Sequence, residues 1–152
     1  MTQRTKYALN ALFVLAEAPA AQPMSIADLA TQGRLPKKFL EAILLELKRR
    51  GILASKKGKG GGYQLLRSPQ QITLAEVMRI FDGPLAPLPC ASESAFKKCD
   101  ECDAISTCAV RSVMKEVRDA MAGILEKATL AELVQKRRDL RRRAERDVLY
   151  QI

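Results

Sequence analysis

Hydrophobic side chains recur at steps of three and four residues along much of this chain, the spacing that brings side chains onto one face of an α-helix. In residues 4–17 that face contains Tyr7, Ala11, Val14 and Leu15. The pattern predicts a first amphipathic helix over this stretch, with its apolar face buried against the rest of the domain.

Two more helices are predicted next, joined by a short turn. Ser25 is a typical cap for a helix over Ile26–Thr31, and Gly33 is expected to end that helix and to supply the turn. Pro36 suits the first position of a third helix, which is predicted to run to about Arg50. Two helices joined by a short turn that contains glycine are the helix-turn-helix pattern. The apolar face of the third helix consists of Leu40, Ile43, Leu44 and Leu47.

A β-hairpin and a fourth helix are predicted after the helix-turn-helix. Strand candidates at residues 52–57 and 63–67 flank a glycine-rich tip at residues 58–62. Glycine there permits positive φ and a close approach to another segment of backbone. A capping box at residues 73–76 then predicts a fourth helix, which ends near Gly83.

The second half of the chain begins with a loop and continues as two helices. All four cysteines lie within residues 84–109, where helical periodicity is absent. A long amphipathic helix follows, and its apolar face is wider than a small winged domain needs to cover. Either a second copy of the same helix or packing within one chain would bury that face, and we expect the second copy. A capping box at residues 129–132 opens a last helix, whose residues 136–146 hold seven Lys or Arg, typical of a solvated face. The apolar face of the long helix consists of Val110, Val113, Met114, Val117, Ala120, Met121, Ile124 and Leu125.

These elements predict a mainly α-helical fold with a small β-hairpin wing: a winged helix-turn-helix followed by a long dimerisation helix. We expect a winged helix-turn-helix domain at residues 1–83 and a cysteine-rich sensor loop at residues 84–109. A dimerisation helix and a C-terminal helix are expected at residues 110–144, with a tail at residues 145–152.

The distribution of charge indicates a polyanionic partner. The formal net charge is +9, and residues 34–67 hold ten Lys or Arg against two Glu. Each phosphate that a cation neutralises releases a condensed counterion, which favours binding to nucleic acid. Hydrophobic residues make up 47% of the chain, enough for a core, whereas only 5% are aromatic and none is Trp, which argues against a base-stacking surface.

The N-terminal stretch superficially resembles a secretion signal, but Asn10 and Glu17 interrupt a short apolar run that also suits an amphipathic helix. We therefore expect a cytoplasmic protein that has no membrane-spanning segment. Cysteines in a cytosolic chain are typical of metal ligands or redox thiols rather than structural disulfides.

Residues that suit contact with double-stranded DNA occur in both the helix-turn-helix and the hairpin. The second helix of a helix-turn-helix places its first residues in the major groove, where lysine donates to guanine edges or phosphate and glutamate accepts from cytosine. Arg34, just before that helix, is a candidate phosphate contact. Lysines among the hairpin glycines suit phosphates or the minor groove. The predicted DNA-binding residues are Arg34, Lys37, Lys38, Glu41, Lys56, Lys57 and Lys59.

Enzymatic chemistry is not expected. The chain has no histidine and no phosphate loop followed by Lys-Ser or Lys-Thr. The glycines at residues 58–62 join two strands rather than open a helix, so they lack the context of a phosphate-binding cradle.

Several short stretches of the sequence together resemble the pattern of a known protein family. The stretches are Thr5–Leu9, Ser25–Ala30, Leu40–Glu41, Gly51–Leu53, Gly60–Tyr63, Ile72–Val77 and the cysteine loop before a long helix. The glycine triplet before Tyr63 is the most specific of them. In these residues the chain resembles the Rrf2 family of bacterial winged-helix regulators over almost its whole length.

The resemblance implies a homodimer with crossed or exchanged long helices on a roughly palindromic operator. It also implies base contacts from Lys37, Lys38 and Glu41 and a wing contact from Lys57. Members of the family include regulators of iron–sulfur cluster assembly, iron supply, the nitric-oxide response and cysteine metabolism.

The four cysteines are predicted to form the sensor. Eight residues separate Cys90 from Cys99, two separate Cys99 from Cys102, and five separate Cys102 from Cys108. Thiolates at such spacings suit zinc and iron–sulfur clusters alike, and the lack of histidine restricts a closed site to cysteines, carboxylates or an exogenous ligand.

The resemblance favours a cluster, since the cluster-binding branch of the family has three loop cysteines of which the last two are separated by five residues. Cys102 and Cys108 reproduce that gap, and Cys90 would be the first ligand. The chain departs from the branch in its longer first gap and in the extra Cys99, while Ala8 and Arg111 occupy places where some members have a fourth ligand.

The function predicted is a DNA-binding transcriptional repressor that senses redox, iron or nitric oxide through an iron–sulfur cluster. The alternatives are a structural zinc or a thiol/disulfide switch without any cluster. The predicted ligands are Cys90, Cys99, Cys102 and Cys108.

Overall fold

The computed structural model describes residues 1–19, 22–100, 102 and 104–149, so the last three residues of the predicted tail lie outside the described part. This part is mainly helical with one antiparallel hairpin, which confirms the predicted fold class. None of its helices has the length and apolar character needed to cross a membrane. The helices are α1 (Gln3–Glu17), α2 (Ile26–Gly33), α3 (Lys37–Arg49), α4 (Leu74–Phe81), α5 (Ala109–Lys127) and α6 (Leu130–Leu149), and the strands are β1 (Leu53–Lys56) and β2 (Gly62–Leu65).

Helix α1 is the centre of the hydrophobic core. It begins at a cap in which the Thr2 hydroxyl accepts a hydrogen bond from the Thr5 N–H at 3.3 Å. Helices α2, α3, α4 and α6 all pack against it. The apolar face predicted for the third helix is buried here, which confirms the orientation of α3. The largest fully buried side chains of the core include Leu12, Leu29, Leu40, Ile43, Leu44, Leu47, Ile52, Leu53, Ile72 and Leu130.

The turn of the helix-turn-helix differs from the prediction at one residue. Gly33 is the last residue of α2, and Arg34 takes the left-handed conformation, with φ of 51°. The Arg34 N–H donates to the Thr31 carbonyl at 3.3 Å, and the Leu35 N–H donates to the Ala30 carbonyl at 2.8 Å, which is the Schellman ending of a helix. A Cβ on Gly33, one position earlier, would lie 2.9 Å from the Leu35 side chain, so a larger residue there would require Leu35 to shift.

The hairpin wing is hydrogen-bonded to the helix-turn-helix. Strands β1 and β2 pair from Leu53 opposite Leu65 to Lys56 opposite Gly62, a shorter ladder than the predicted strands. Met24, just before α2, exchanges two backbone hydrogen bonds of 2.9 Å with Tyr63. A Cβ at residue 62 would collide with the Met24 carbonyl oxygen, so only glycine permits this approach. The wing therefore has a fixed position relative to α2 and α3.

The junction between α5 and α6 also returns to this core. The Leu130 N–H donates to the Ile72 carbonyl at 2.7 Å, and the Leu74 N–H donates to the Ala128 carbonyl at 2.9 Å. Leu130 and Val134 of α6 are buried in the same cluster as the residues of α1 and α3. The start of α6 thus fixes the end of α5 on the winged domain.

Asp82 connects the end of α4 to the start of α1. Its carboxylate accepts hydrogen bonds from the Thr2 N–H at 2.9 Å and from the Thr5 hydroxyl at 2.6 Å. Burial raises the pKa of Asp82, but hydrogen bonds from Thr2 and Thr5 and the nearby N-terminal ammonium outweigh burial, so the pKa lies below its usual value. The ionised carboxylate therefore stabilises the folded state.

Asp82→Asn is expected to lower the free energy of unfolding by about 1 kcal/mol at pH 7, because the charged acceptor is removed. A carboxylate with a lowered folded-state pKa contributes stability above its unfolded-state pKa, and that contribution disappears as pH falls through the folded-state value. Urea unfolding of both proteins at one concentration should therefore show a difference that is full at pH 7 and shrinks below about pH 4. A difference that stays constant down to pH 3 would contradict this role for Asp82.

Candidate nucleic-acid interface and cysteine site

The first turns of α3 present the predicted base-reading residues to solvent. Lys37, Lys38 and Glu41 are all exposed, because the apolar face of α3 is buried against α1 and fixes the opposite face outward. Sequence reasoning missed Phe39, which is 45% exposed between them. The Phe39 ring stacks on Tyr7 with centroids 6.3 Å apart, and the Lys38 ammonium lies 4.8 Å from its centre. An aromatic residue directly after two lysines, outside the apolar period, is the signal that points to this position.

Arg34 lies at the exposed turn just before α3. A left-handed backbone is unfavourable for a residue that has a Cβ, and such strain is concentrated at functional positions. The turn thus places a guanidinium directly ahead of the base-reading residues.

Arg34→Gly is expected to raise the free energy of unfolding by about 1 kcal/mol, because glycine adopts the left-handed conformation without strain. The same change should weaken binding to duplex DNA and flatten the dependence of log affinity on log salt by about 0.9, the effect of leaving one phosphate without its cation. Urea unfolding and fluorescence anisotropy across a salt series measure the two effects.

Arg34→Lys is the matched control, since it keeps both the charge and the strained backbone and should change neither quantity much. A glycine variant that is no more stable than wild type would show that the turn stores no strain.

The wing presents three more exposed lysines, Lys56, Lys57 and Lys59. They surround a tight turn in which the Gly61 N–H donates to the Gly58 carbonyl at 2.9 Å. Gly58 and Gly60 both have positive φ, which a residue with a side chain rarely adopts. The fixed wing therefore holds these cations beside the same domain that carries α3.

The predicted contact lysines have no acidic partner, unlike three arginines of this region. Within the described part of the chain, the lysines of α3's first turn and of the wing form no ion pairs. By contrast, Glu46 pairs with Arg49 and Arg50, and Glu76 pairs with Arg67. The uncompensated charges therefore coincide with the two elements that suit contact with a duplex.

All four cysteines are thiols rather than disulfides, and the other three all influence Cys102. The Cys102 thiol is hydrogen-bonded to Cys108 and to Cys99, and Cys90 is close enough to raise its pKa electrostatically. Cys90 is 3% exposed, whereas Cys99, Cys102 and Cys108 are half-buried. The loop thus brings together residues that are 18 positions apart along the chain.

Cys108 occupies a second role as the cap of α5. Its sulfur accepts a hydrogen bond from the Arg111 backbone N–H at 3.4 Å. This hydrogen bond, together with the one donated by Cys102, lowers the pKa of the Cys108 thiol, while donation to Cys108 raises the pKa of Cys102. A change at Cys108 therefore acts directly on the first turn of α5.

The donor set fits an iron–sulfur cluster or zinc in chemistry and in number, since thiolates are ordinary ligands of both and the loop holds four cysteines. The sulfurs do not form a finished coordination shell: within residues 1–19, 22–100, 102 and 104–149, no three Cys, Asp or Glu side chains are arranged to hold a metal ion. The predicted four-cysteine site stays a prediction.

Two arginines of α5 bind the loop beside Cys90, and sequence reasoning assigned them no such role. The Arg111 Nε donates to the Cys90 carbonyl at 2.9 Å, and the Arg118 Nη1 donates to the Ala91 carbonyl at 2.6 Å. They lie seven residues apart, two helical turns on one face. That spacing is visible in the sequence, but the carbonyls they reach are not.

A different side of α5 presents an apolar stripe to solvent. Its exposed fractions range from 36% at Met121 to 70% at Ile124. The steps of three and four residues match the prediction and give one continuous face. The stripe consists of Val110, Val113, Val117, Met121 and Ile124.

Comparison with known proteins gives a consistent picture. The model of the Rrf2 family, described as iron-dependent transcriptional regulator, matches residues 1–136. A putative HTH-type transcriptional regulator, rrf2-like, of Rhodobacter capsulatus is 41% identical over 88% of this chain and 91% of its own length. The HTH-type transcriptional regulator IscR of Cronobacter sakazakii is 27% identical over 88% of this chain and 79% of its own. The structure of CymR, the global cysteine regulator of B. subtilis, superposes with a TM-score of 0.72 at 25% identity, over 90% of this chain and 96% of that one.

Proposed function

Because the chain belongs to the Rrf2 family of DNA-binding transcriptional regulators, and is therefore not an enzyme, we propose that it is a homodimeric repressor whose operator affinity depends on the state of its four cysteines. The observation that carries the DNA-binding part is the set of unpaired, exposed lysines at the start of α3 and on the wing. The hydrogen bonds between Met24 and Tyr63 hold these two elements in one arrangement.

Recognition of DNA is divided between the two elements. Lys37, Lys38 and Glu41 enter the major groove and contact base edges. Arg34 and the wing lysines Lys56, Lys57 and Lys59 contact phosphates or the minor groove, which sets the register of the domain on the duplex.

A second copy of the chain supplies the second half-site. The stripe on α5 is the only long apolar face that the described helices leave in solvent, and an identical stripe on a partner covers it about a two-fold axis. Two recognition helices then address half-sites about one DNA turn, or a multiple of it, apart.

The cysteines are the proposed sensor. Cys90, Cys99, Cys102 and Cys108 would hold an iron–sulfur cluster, which when bound supplies a centre that responds to iron, oxygen or nitric oxide. Because no three described side chains are arranged to hold a metal ion, the four cysteines would have to rearrange to ligate a cluster. Since Cys108 caps α5, this change acts on the helix that sets the distance between the two recognition helices.

A thiol/disulfide switch is the second candidate, favoured by the hydrogen bond between the Cys102 and Cys108 thiols. Their sulfurs are neighbours, and an oxidant such as a peroxide would convert the two thiols to a disulfide while itself accepting two electrons.

Anaerobic purification followed by a visible spectrum and assays of iron, sulfide and zinc decides among these states. Brown protein with acid-labile sulfide supports the cluster. Colourless protein with one zinc per chain contradicts it and assigns a structural metal, and metal-free protein that loses two thiols on mild oxidation supports the switch. Footprinting on a duplex selected from a random library tests the dimer: two protected sites about one turn apart are expected.

A further inference from the structure

Arg118 is the one buried residue of α5, all of whose positions are described. It is 9% exposed, although the rest of the helix is amphipathic and its apolar stripe lies in solvent. Burying a guanidinium is unfavourable unless its donors are satisfied, so a buried arginine in place of an apolar residue needs a specific reason.

The hydrogen bonds of Arg118 supply that reason. Its Nη1 donates to the Ala91 carbonyl at 2.6 Å, a buried contact 27 residues back along the chain. The Nε and Nη2 donors bind Asp119, and Nη2 also lies 3.0 Å from Glu93. Both carboxylates are largely exposed, with 62% and 79% of their side chains accessible, so they neutralise the charge while the carbonyl fixes the position.

Arg111 makes the matching contact one residue earlier in the loop. Its Nε donates to the Cys90 carbonyl at 2.9 Å, and its guanidinium lies 5.9 Å from the centre of the Phe96 ring. Two side chains on one face of α5 therefore hold two successive carbonyls, those of Cys90 and Ala91. The segment Pro89–Ala91 is a single short 3₁₀ turn, and Cys90 and Ala91 are both buried.

Helix α5 is thus joined to the cysteine site at two separate places. Cys108 belongs to the helix as its cap, and Cys90 is held against it by the arginines. A loop attached only at Cys108 would let Cys90 move freely when the thiols change state, and the helix would not respond.

We propose that Arg111 and Arg118 are positioning residues that clamp Cys90 to α5, so that a change at the cysteines displaces the dimerisation helix rather than the loop alone. This inference rests on the proposed sensing function and names the connection through which that function reaches the DNA. Both arginines act through the backbone carbonyls of Cys90 and Ala91.

The test compares wild type with Arg118→Gln and Arg118→Lys, using Arg141→Gln, an exposed arginine of α6, as the control. The first measurement is the rate at which iodoacetamide alkylates each cysteine of the metal-free dimer, resolved by peptide mass spectrometry. Release of the loop in Arg118→Gln should raise the alkylation rate of Cys90 by about tenfold. The alkylation rate of Cys99 should stay within about twofold of the wild-type rate. In Arg118→Lys, which keeps one donor for the Ala91 carbonyl, the increase at Cys90 should be smaller.

The second measurement is the ratio of operator affinity between protein reconstituted anaerobically with iron and sulfide and metal-free protein. Arg118→Gln should keep the metal-free affinity but bring this ratio close to one, whereas Arg141→Gln should keep the wild-type ratio. If Arg118→Gln leaves either the alkylation rate of Cys90 or the affinity ratio unchanged, the proposed clamp is contradicted. If that variant does not fold, Arg111→Gln, whose side chain is only half-buried, answers the same question.

The two proposals fail in different ways. A wild-type ratio of one would reject the sensing function, and the alkylation rates would still decide whether Arg118 fixes Cys90.

Discussion

Replacing Lys37, Lys38 and Lys57 together by glutamate is expected to weaken binding to the selected operator by at least about a thousandfold at physiological salt. In the proposed complex each substitution removes a cation that faces a base or phosphate, and each glutamate adds repulsion from the same phosphates. The three side chains are exposed and none forms an ion pair in the described chain, so the fold itself should tolerate the change. Fluorescence anisotropy across a salt series measures both affinity and slope, and the slope should flatten by about 0.9 for each phosphate that the variant no longer neutralises.

The matched control changes the net charge equally but on α6. Arg138, Arg142 and Arg146 lie on exposed positions of that helix, in the basic run that we expect to be solvated. Their replacement by glutamate should weaken binding by less than about tenfold, through the overall field of the protein alone. Equal losses of affinity in the two triple variants would mean that net charge, and not the placement of lysines on α3 and the wing, accounts for binding.

Introducing aspartate at Val117 and Ile124 is expected to separate the dimer and to reduce operator affinity by at least about a hundredfold. The two side chains are 38% and 70% exposed in the single chain and lie in the apolar stripe of α5. A carboxylate buried against its own copy has no partner and repels its symmetry mate, so the chains no longer self-associate. A monomer then binds one half-site at a time and loses the gain from simultaneous engagement.

Sedimentation equilibrium gives the mass directly: twice 16.8 kDa is expected for wild type and 16.8 kDa for the double variant. Leu140→Asp is the control, because this leucine of α6 is likewise exposed, at 55%, but lies outside the stripe. A double variant that remains dimeric would show that another surface joins the copies.

The elements of the fold followed from local patterns. The caps at Ser25 and Thr73 and the steps of three and four residues predicted where helices begin and which faces are buried, because both depend on near neighbours. The hairpin followed from its glycines for the same reason. The left-handed residue that ends α2 is Arg34 rather than the predicted Gly33, and the hydrogen bonds that define this ending depend on the path of the chain after the turn.

Local sequence patterns could not predict the contacts within the cysteine site. Nothing near Arg118 in sequence shows that its guanidinium reaches a carbonyl 27 residues away, or that Leu130 returns to pair with Ile72. The helical spacing of apolar residues predicts which face of a helix is buried. An arginine outside that spacing is therefore predicted to lie on the exposed polar face, even where it is buried. Loop contacts of this kind depend on tertiary structure alone.

The dependence of operator affinity on the cysteines is the central claim, and one titration tests it most directly. The dissociation constant for the selected operator is measured for protein reconstituted anaerobically with iron and sulfide and for the same preparation after oxidation, in wild type and in Cys90→Ala. We expect a difference of at least about tenfold between the two wild-type states and none in the variant. Identical constants in both states of the wild type would contradict the claim.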